Sequence, residues 1–254
     1  MSEFLPPDLS AGGLAFLLAT AFIASTARGF SGFGAALIFL PLAATVVDPK
    51  IASPLLLVTD AVLAAGFIPN AWRGADKREV GIMGLGAAIG IPLGTVLLVR
   101  IDPLHIRWAI VGLAAAMLAL LVSGWRYRGT PTRPLTFGVG TFAGVCSGAA
   151  QIGGPAVIAY WLGSQSPPAI IRANIILYFS ISTAIALVSY FVGGVLTLTV
   201  VKLALVVGPV YGIGLFLGSR LFGVAHEALF RRICYALIVV AVVVSLPLLD
   251  GVIR

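Results

Sequence analysis

Residues 27–41 read ARGFSGFGAALIFLP, and how they are built decides the fold. An arginine and three glycines fall within seven positions, Arg28 to Gly34, inside a stretch that is otherwise oily for nearly forty residues. Glycine costs about 1 kcal/mol relative to alanine within a helix, and proline about 3. A guanidinium at the centre of a bilayer costs at least about 2.5–3.5 kcal/mol. The cluster therefore belongs where the helix must break and where the charge has a partner, water or a task.

The rest of the chain sets that problem in lipid. Of 254 residues, 60% are hydrophobic and 10% charged, with a mean hydropathy of +1.10. A soluble domain is about half apolar and a quarter charged. Several runs of about 20 apolar residues match the hydrocarbon thickness of a bilayer. The composition specifies an all-α polytopic membrane protein. The net charge of +7 does not indicate nucleic acid, because the basic residues are spread over short inter-helix loops and form no basic tract. Cys146 and Cys234 both lie in apolar segments, which argues against a disulfide framework. The opening MSEFLPPDLS lacks the basic region of a cleavable signal.

Six apolar segments have ordinary spanning length: 51–69, 80–100, 104–125, 168–191, 194–219 and 228–249. Two others, 10–47 and 135–163, are too long. As straight helices they would reach roughly 57 and 44 Å, against a core of about 30 Å. Each has a weak middle, at ARGFSGFG and at GVCSGAAQIGGP, so each is expected to fold as two half-length helices joined near the glycines. Either each is a broken crossing helix, giving eight crossings, or each is a re-entrant hairpin, leaving six. Eight crossings divide the loop lysines and arginines eight against seven. Two hairpins divide them ten against five, with the ten at Arg73, Lys77, Arg78, Arg126, Arg128, Arg133, Arg172, Arg220, Arg231 and Arg232. The hairpin arrangement satisfies the positive-inside rule and puts both termini outside. Trp72, Trp108, Trp125 and Trp161 fall near segment ends, where interfacial aromatics are expected.

The chain reads as two repeats, 1–129 and 130–254. A shift of 119 residues superimposes Gly29 on Gly148, Gly34 on Gly153, Pro49 on Pro168 and Ile51 on Ile170. The order of elements also recurs: a long interrupted stretch, a proline-containing turn, then three spans. A hairpin plus three spans makes an odd number of crossings, so the second repeat must be inverted. Inverted repeats with discontinuous helices are a recurrent plan of secondary transporters, which bind substrate near the midplane.

Candidate chemistry gathers at the two breaks. Arg28 supplies charge, Ser31 a hydroxyl, and Gly29, Gly32 and Gly34 a backbone that a ligand can approach without meeting a Cβ. A helix starting near Gly32 would point its unpaired amides back towards the break, a setting for a small oxyanion or carboxylate. The plainer reading is that Arg28 pairs with Asp60 and the glycines serve helix packing. The second break offers Ser147, Gly148, Gln151, Gly153 and Gly154. The Gln151 amide could donate to an oxyanion, or cap a carbonyl bared by the break. Asp60, mid-span, is a candidate proton carrier for coupling or a partner for Arg28. Arg172 and Asn174 open a span after the second break and could reach a central cavity, while Arg172 also suits an interface anchor.

Enzyme readings fail on their missing partners. GFSG at 29–32 has the G-x-S-G form of intramembrane serine proteases, yet the only histidines, His105 and His226, lie by loops. There is no HExxH and no Walker A sequence, and one acid lies well inside a span.

At these residues the sequence resembles the TauE/SafE family of sulfite exporters and anion permeases, whose members carry a duplicated Gly-rich segment. In GFGAALIFLP, Gly32, Gly34 and Pro41 fit the motif, while Ala35 and Ala36 replace glycines. In QIGGPAVIAY, Gly153 and Gly154 fit, Gln151 and Pro155 replace glycines, and Tyr160 replaces the proline. The resemblance implies transport of sulfite, sulfonates, sulfoacetate or other organic anions across the bacterial cytoplasmic membrane, commonly outward. It leaves a passive anion channel and a proton-coupled uptake permease as alternatives. The expected partners are a small anion and the lipid bilayer, with a homodimer left open; no cofactor is expected.

Overall fold

The computed structural model describes residues 9–31, 34–64, 68–127, 129–164, 166–221 and 227–249. All regular structure among them is helical. The first half contains α1 (Ala11–Ser31), α2 (Ala35–Ala43), α3 (Pro49–Ala64), α4 (Ile68–Gly74), α5 (Lys77–Arg100) and α6 (Pro103–Ser123). The second contains α7 (Arg133–Ala150), α8 (Gly154–Trp161), α9 (Pro168–Val192), α10 (Leu198–Leu221) and α11 (Glu227–Val244), with a 3-10 turn at Pro247–Leu249. Five of these helices are long and apolar enough to cross a membrane: α1 over Ala11–Phe30, α5, α6, α9 and α10. This is a multi-pass membrane architecture.

Two expected spans differ. Residues 51–69 are divided between α3, of 16 residues, and α4, of 7. Residues 228–249 fall in α11, which ends at Val244, and in the 3-10 turn; among the described side chains the apolar part of α11 is Arg232–Val244, shorter than a crossing helix. The two long stretches break, but not into equal halves. The first gives α1 of 21 residues and α2 of 9, about 31 and 13 Å of helix. The second gives α7 of 18 residues and α8 of 8.

The unequal division has a physical cause in what the glycines touch. Gly29 stays inside α1 because α10 lies against it: a Cβ there would run into the Leu215 carbonyl. Gly214 and Gly218 of α10 return the contact, against the carbonyls of Phe22 and Thr26. Both numberings rise together, so α1 and α10 run parallel. In α7 and α5 the same interlock is longer. Gly86, Gly90 and Gly94 press on the backbone of Phe137, Thr141 and Val145, and Gly140, Gly144 and Gly148 on Met83, Ala87 and Ile91. Small residues at four-residue spacing let backbones meet where no side-chain hydrophobic gain is available in lipid. The opposite side of α5 presents Leu85, Ile89, Leu93 and Val96, all exposed, as a lipid-facing stripe.

The breaks themselves fall where the backbone turns left-handed. Gly34 has φ 95° ahead of α2. Gln151 has φ 52° at the end of α7, and its N–H donates to the Ser147 carbonyl at 2.8 Å. Glycine takes that conformation without penalty, whereas a residue with a Cβ is disfavoured there by roughly 1–2 kcal/mol. Pro41, which has no N–H to donate, lies inside α2 two residues before its end at Ala43. Asp76 caps α5 through the N–H groups of Arg78 (2.9 Å) and Glu79 (3.1 Å). Asp102 caps α6 through Leu104 (2.8 Å).

Contacts at the two ends of the bundle sort the chain. At one end, Leu9 before α1, residues 44–49 after α2, and Pro103 and Arg107 of α6 line a shared pocket. At the other, the Tyr127 N–H donates to the Ala159 carbonyl (3.2 Å), and the Thr136 and Tyr160 hydroxyls are 2.6 Å apart. The start of α7 thus lies beside the end of α8. Trp161, expected at an interface, is instead fully buried there, and its Nε1 donates to Glu79 Oε2 at 3.1 Å.

Candidate functional site

Arg28 sits in the last turn of α1. Helix C-termini carry partial negative charge, so the position itself favours a cation. The sequence places the arginine in a break running from Arg28 to Gly34; it lies instead inside α1, whose last turn continues to Ser31, and α2 begins only at Ala35. Its Nη2 is 2.7 Å from Asp60 Oδ2, with side-chain exposures of 28% and 21%, so the pair is largely withdrawn from the surface. The Tyr211 hydroxyl donates to Asp60 Oδ1 at 3.1 Å. Three helices, α1, α3 and α10, therefore contribute one polar atom group each to a single charged cluster. The glycine interlock fixes its geometry, since Gly29 seats α1 on α10 one residue beyond Arg28. Gly34 has open space around its missing Cβ, and left-handed backbone geometry is what favours glycine there. Gly32 lies outside the described residues, as does the Ser31 side chain.

The second break builds an uncharged cluster. Gln151 Nε2 donates to the Ser147 carbonyl (3.0 Å) and to the Tyr190 hydroxyl (3.1 Å). Tyr190 in turn donates to the Gly148 carbonyl at 2.9 Å. Both amide hydrogens of Gln151 are thus spent on the protein, and in this conformation the side chain caps the broken helix rather than offering donors to an anion. Gly148 and Gly153 are packing positions. A Cβ at Gly148 would meet the Ile91 carbonyl, and one at Gly153 would meet the Ala143 carbonyl and Ser147 Oγ. At Gly154 a Cβ would reach only ordinary contact with the Phe179 ring.

Arg172 and Asn174 belong to neither cluster. Arg172 is exposed near the start of α9. Asn174 is fully buried, and its Oδ1 accepts from the Asp76 N–H at 2.7 Å. With Trp161 and Glu79 it ties α9, α8 and α5 together at the end of the bundle. The sequence reading brought Arg28 and Asp60 together and missed Tyr211 and Tyr190, both fully buried. A tyrosine deep in an apolar span carries a signal of its own, because a buried hydroxyl usually finds a partner.

Arg28 and Asp60 together are a neutral unit, and a guanidinium presents five N–H donors in a plane suited to oxyanions. Comparison with known families agrees with this chemistry. The family described as Sulfite exporter TauE/SafE matches residues 17–245. No curated protein and no solved structure matches the chain closely enough to extend the comparison. The match covers both breaks, both clusters and nine-tenths of the chain, and the family is one of membrane exporters of sulfite or related anions. The chain belongs to the TauE/SafE sulfite exporter family.

Proposed function

We propose that this chain is a secondary transporter that exports small sulfur-containing or organic anions, such as sulfite, sulfonates or sulfoacetate, and that Arg28 receives the anion. One observation carries the assignment: a guanidinium in the last turn of a spanning-length helix, 2.7 Å from a single carboxylate. Helix-end polarity alone would not need an arginine, and a purely structural charge is rarely retained in lipid.

Alternating access between two inverted repeats is the proposed movement. In support, each interrupted stretch begins and ends at the same end of the bundle, as a re-entrant hairpin does. The interlocks also correspond across the repeats. Gly214 and Gly218 meet Phe22 and Thr26 as Gly90 and Gly94 meet Thr141 and Val145. The hairpin arm of each repeat is thereby clamped to a spanning helix of the other. Gly29 and Gly148, paired by the 119-residue shift, occupy matching places in the two clamps.

Flux into and out of proteoliposomes tests the assignment, with sulfite, short sulfonates and carboxylates as probes. Saturable counterflow of one class without unitary currents in planar bilayers is the expected result. Unitary currents would make the protein a channel, and no flux of any probe would leave only a membrane scaffold.

A further inference from the structure

Asp60 occupies the position at Arg28 that the proposed substrate needs. Its Oδ2 takes the Nη2 edge of the guanidinium, while its Oδ1 is held by the fully buried Tyr211. One arginine neutralises one negative charge. If an anion displaces Asp60 and the carboxyl stays ionised, the site holds two anions against one cation in a poorly hydrated setting, which is strongly disfavoured. If Asp60 takes up a proton as it leaves Arg28, the site is neutral before and after.

We infer that Arg28 exchanges Asp60 for a singly charged oxyanion, that Asp60 binds one proton in the exchange, and that Tyr211 retains the neutral acid. This rests on the transporter reading and adds to it the charge class of the substrate and the stoichiometry of the cycle. The proton comes from water on the side where the anion binds and adds to the Asp60 carboxylate. It leaves to water on the opposite side when the anion departs and Asp60 returns to Arg28. Nothing else is made or broken, and the cycle moves no net charge. The Tyr211 hydroxyl can donate to a carboxylate or to the carbonyl oxygen of a carboxylic acid, so its hydrogen bond persists in both states.

The surroundings of Asp60 suit this exchange. Among the helices packed on α3, α10 contributes Tyr211 and α2 has no titratable residue in its sequence. On α10, Arg220 lies over the Phe216 ring and Lys202 sits near the opposite end of the helix, and neither bonds Asp60 in the structure. Tyr190 of α9 bonds to Gln151, Tyr178 of α9 packs on Trp161 with Cys146 of α7 nearby, Glu79 of α5 accepts from Trp161, and Arg107 of α6 lines the pocket at the far end. Arg28 and Tyr211 are therefore the groups whose charge and hydrogen bonding act directly on Asp60. An electroneutral cycle runs outward while the outward anion gradient exceeds the opposing proton gradient, about tenfold per pH unit.

The test uses the intact protein in proteoliposomes holding an internal pH dye, with methanesulfonate as probe because it stays singly charged across the working pH range. The potential is set to zero or about 100 mV by potassium and valinomycin, where a net charge would feel about 2.3 kcal/mol. The expected wild-type flux changes less than twofold with potential and carries one proton per anion. Asp60→Asn should abolish the proton movement and make any remaining flux potential-dependent. Tyr211→Phe should slow the flux several-fold with its proton ratio unchanged. Wild-type flux that moves several-fold with potential and leaves the internal pH unchanged overturns the exchange and spares the transporter assignment. Sulfite flux that rises with the doubly charged fraction as the pH is raised, without methanesulfonate flux, refutes the singly charged class. Absence of flux for both removes the transporter assignment and the exchange together. The wild-type proton ratio decides the matter even if Asp60→Asn fails to fold.

Discussion

Removing Asp60 should destabilise the protein chiefly because Arg28 remains. At an effective dielectric of about 20, unit charges about 4 Å apart attract by about 4 kcal/mol. Desolvation of both groups offsets part of this, and exposures of 28% and 21% admit some screening. The C-terminal dipole of α1 compensates an orphaned guanidinium by only about 0.3–1 kcal/mol. Asp60→Ala should therefore cost about 2–4 kcal/mol. Arg28→Ala should cost somewhat less, because Tyr211 still donates to the abandoned carboxylate. The double variant carries no orphaned charge and should be roughly 2 kcal/mol more stable than the sum of the single effects. Reversible unfolding in mixed micelles, run as a double-mutant cycle, measures that difference. A coupling energy below about 0.5 kcal/mol is the additive result expected of independent sites and would refute the reasoning.

The glycine interlocks predict sharp local intolerance. Gly144→Val or Gly29→Val should lower stability by about 1–3 kcal/mol or more, because the new side chain meets a helix backbone that has nowhere to move. Gly112 of α6, with open space around it, is the matched control: Gly112→Ala should raise thermal stability in detergent slightly, by up to about 1 kcal/mol. At the tied end of the bundle, Glu79→Gln should keep the acceptor for Trp161 and change the melting temperature little. Glu79→Ala should lower it, leaving the buried indole N–H without its partner at a cost of about 1–3 kcal/mol. The hairpin topology predicts that single cysteines at Ser10 and Asp48, in a background without the buried Cys146 and Cys234, react from the same side of the membrane. Opposite sidedness would exclude a re-entrant first stretch.

The membrane architecture was legible because apolar length and loop charge are properties of whole segments. Individual glycines were not, since a glycine that breaks a helix and one that admits a neighbouring backbone look alike in a sequence. Gly29, Gly148 and Gly153 were candidates for ligand contact with helix packing as the plainer reading, and each lies against backbone in the fold. Among the described glycines of the two breaks, Gly34 alone has the positive φ that the turn requires. The unequal arms follow from this, because the interlocked glycines hold α1 and α7 helical past the expected midpoints. The Arg28–Asp60 pair was readable from charge alone, as two intramembrane charges of opposite sign seek each other. Asn174 misled because a polar residue near the start of a span points equally well to a cavity or to a neighbouring loop, here the backbone of Asp76. Tyr211 and Tyr190 were passed over because aromatic rings blend into an apolar run, while their hydroxyls do the binding.

The central claim is that Arg28 receives the transported anion, and sulfite flux in proteoliposomes by wild-type protein, Arg28→Lys and Arg28→Ala tests it most directly. A lost charge-assisted contact is worth about 2 kcal/mol or more, so Arg28→Ala should lose roughly thirtyfold or more in kcat/KM. Arg28→Lys should retain part of the activity, with a raised KM, because the charge survives without the planar fork. A folded Arg28→Ala protein that carries sulfite at the wild-type rate and KM would contradict the account.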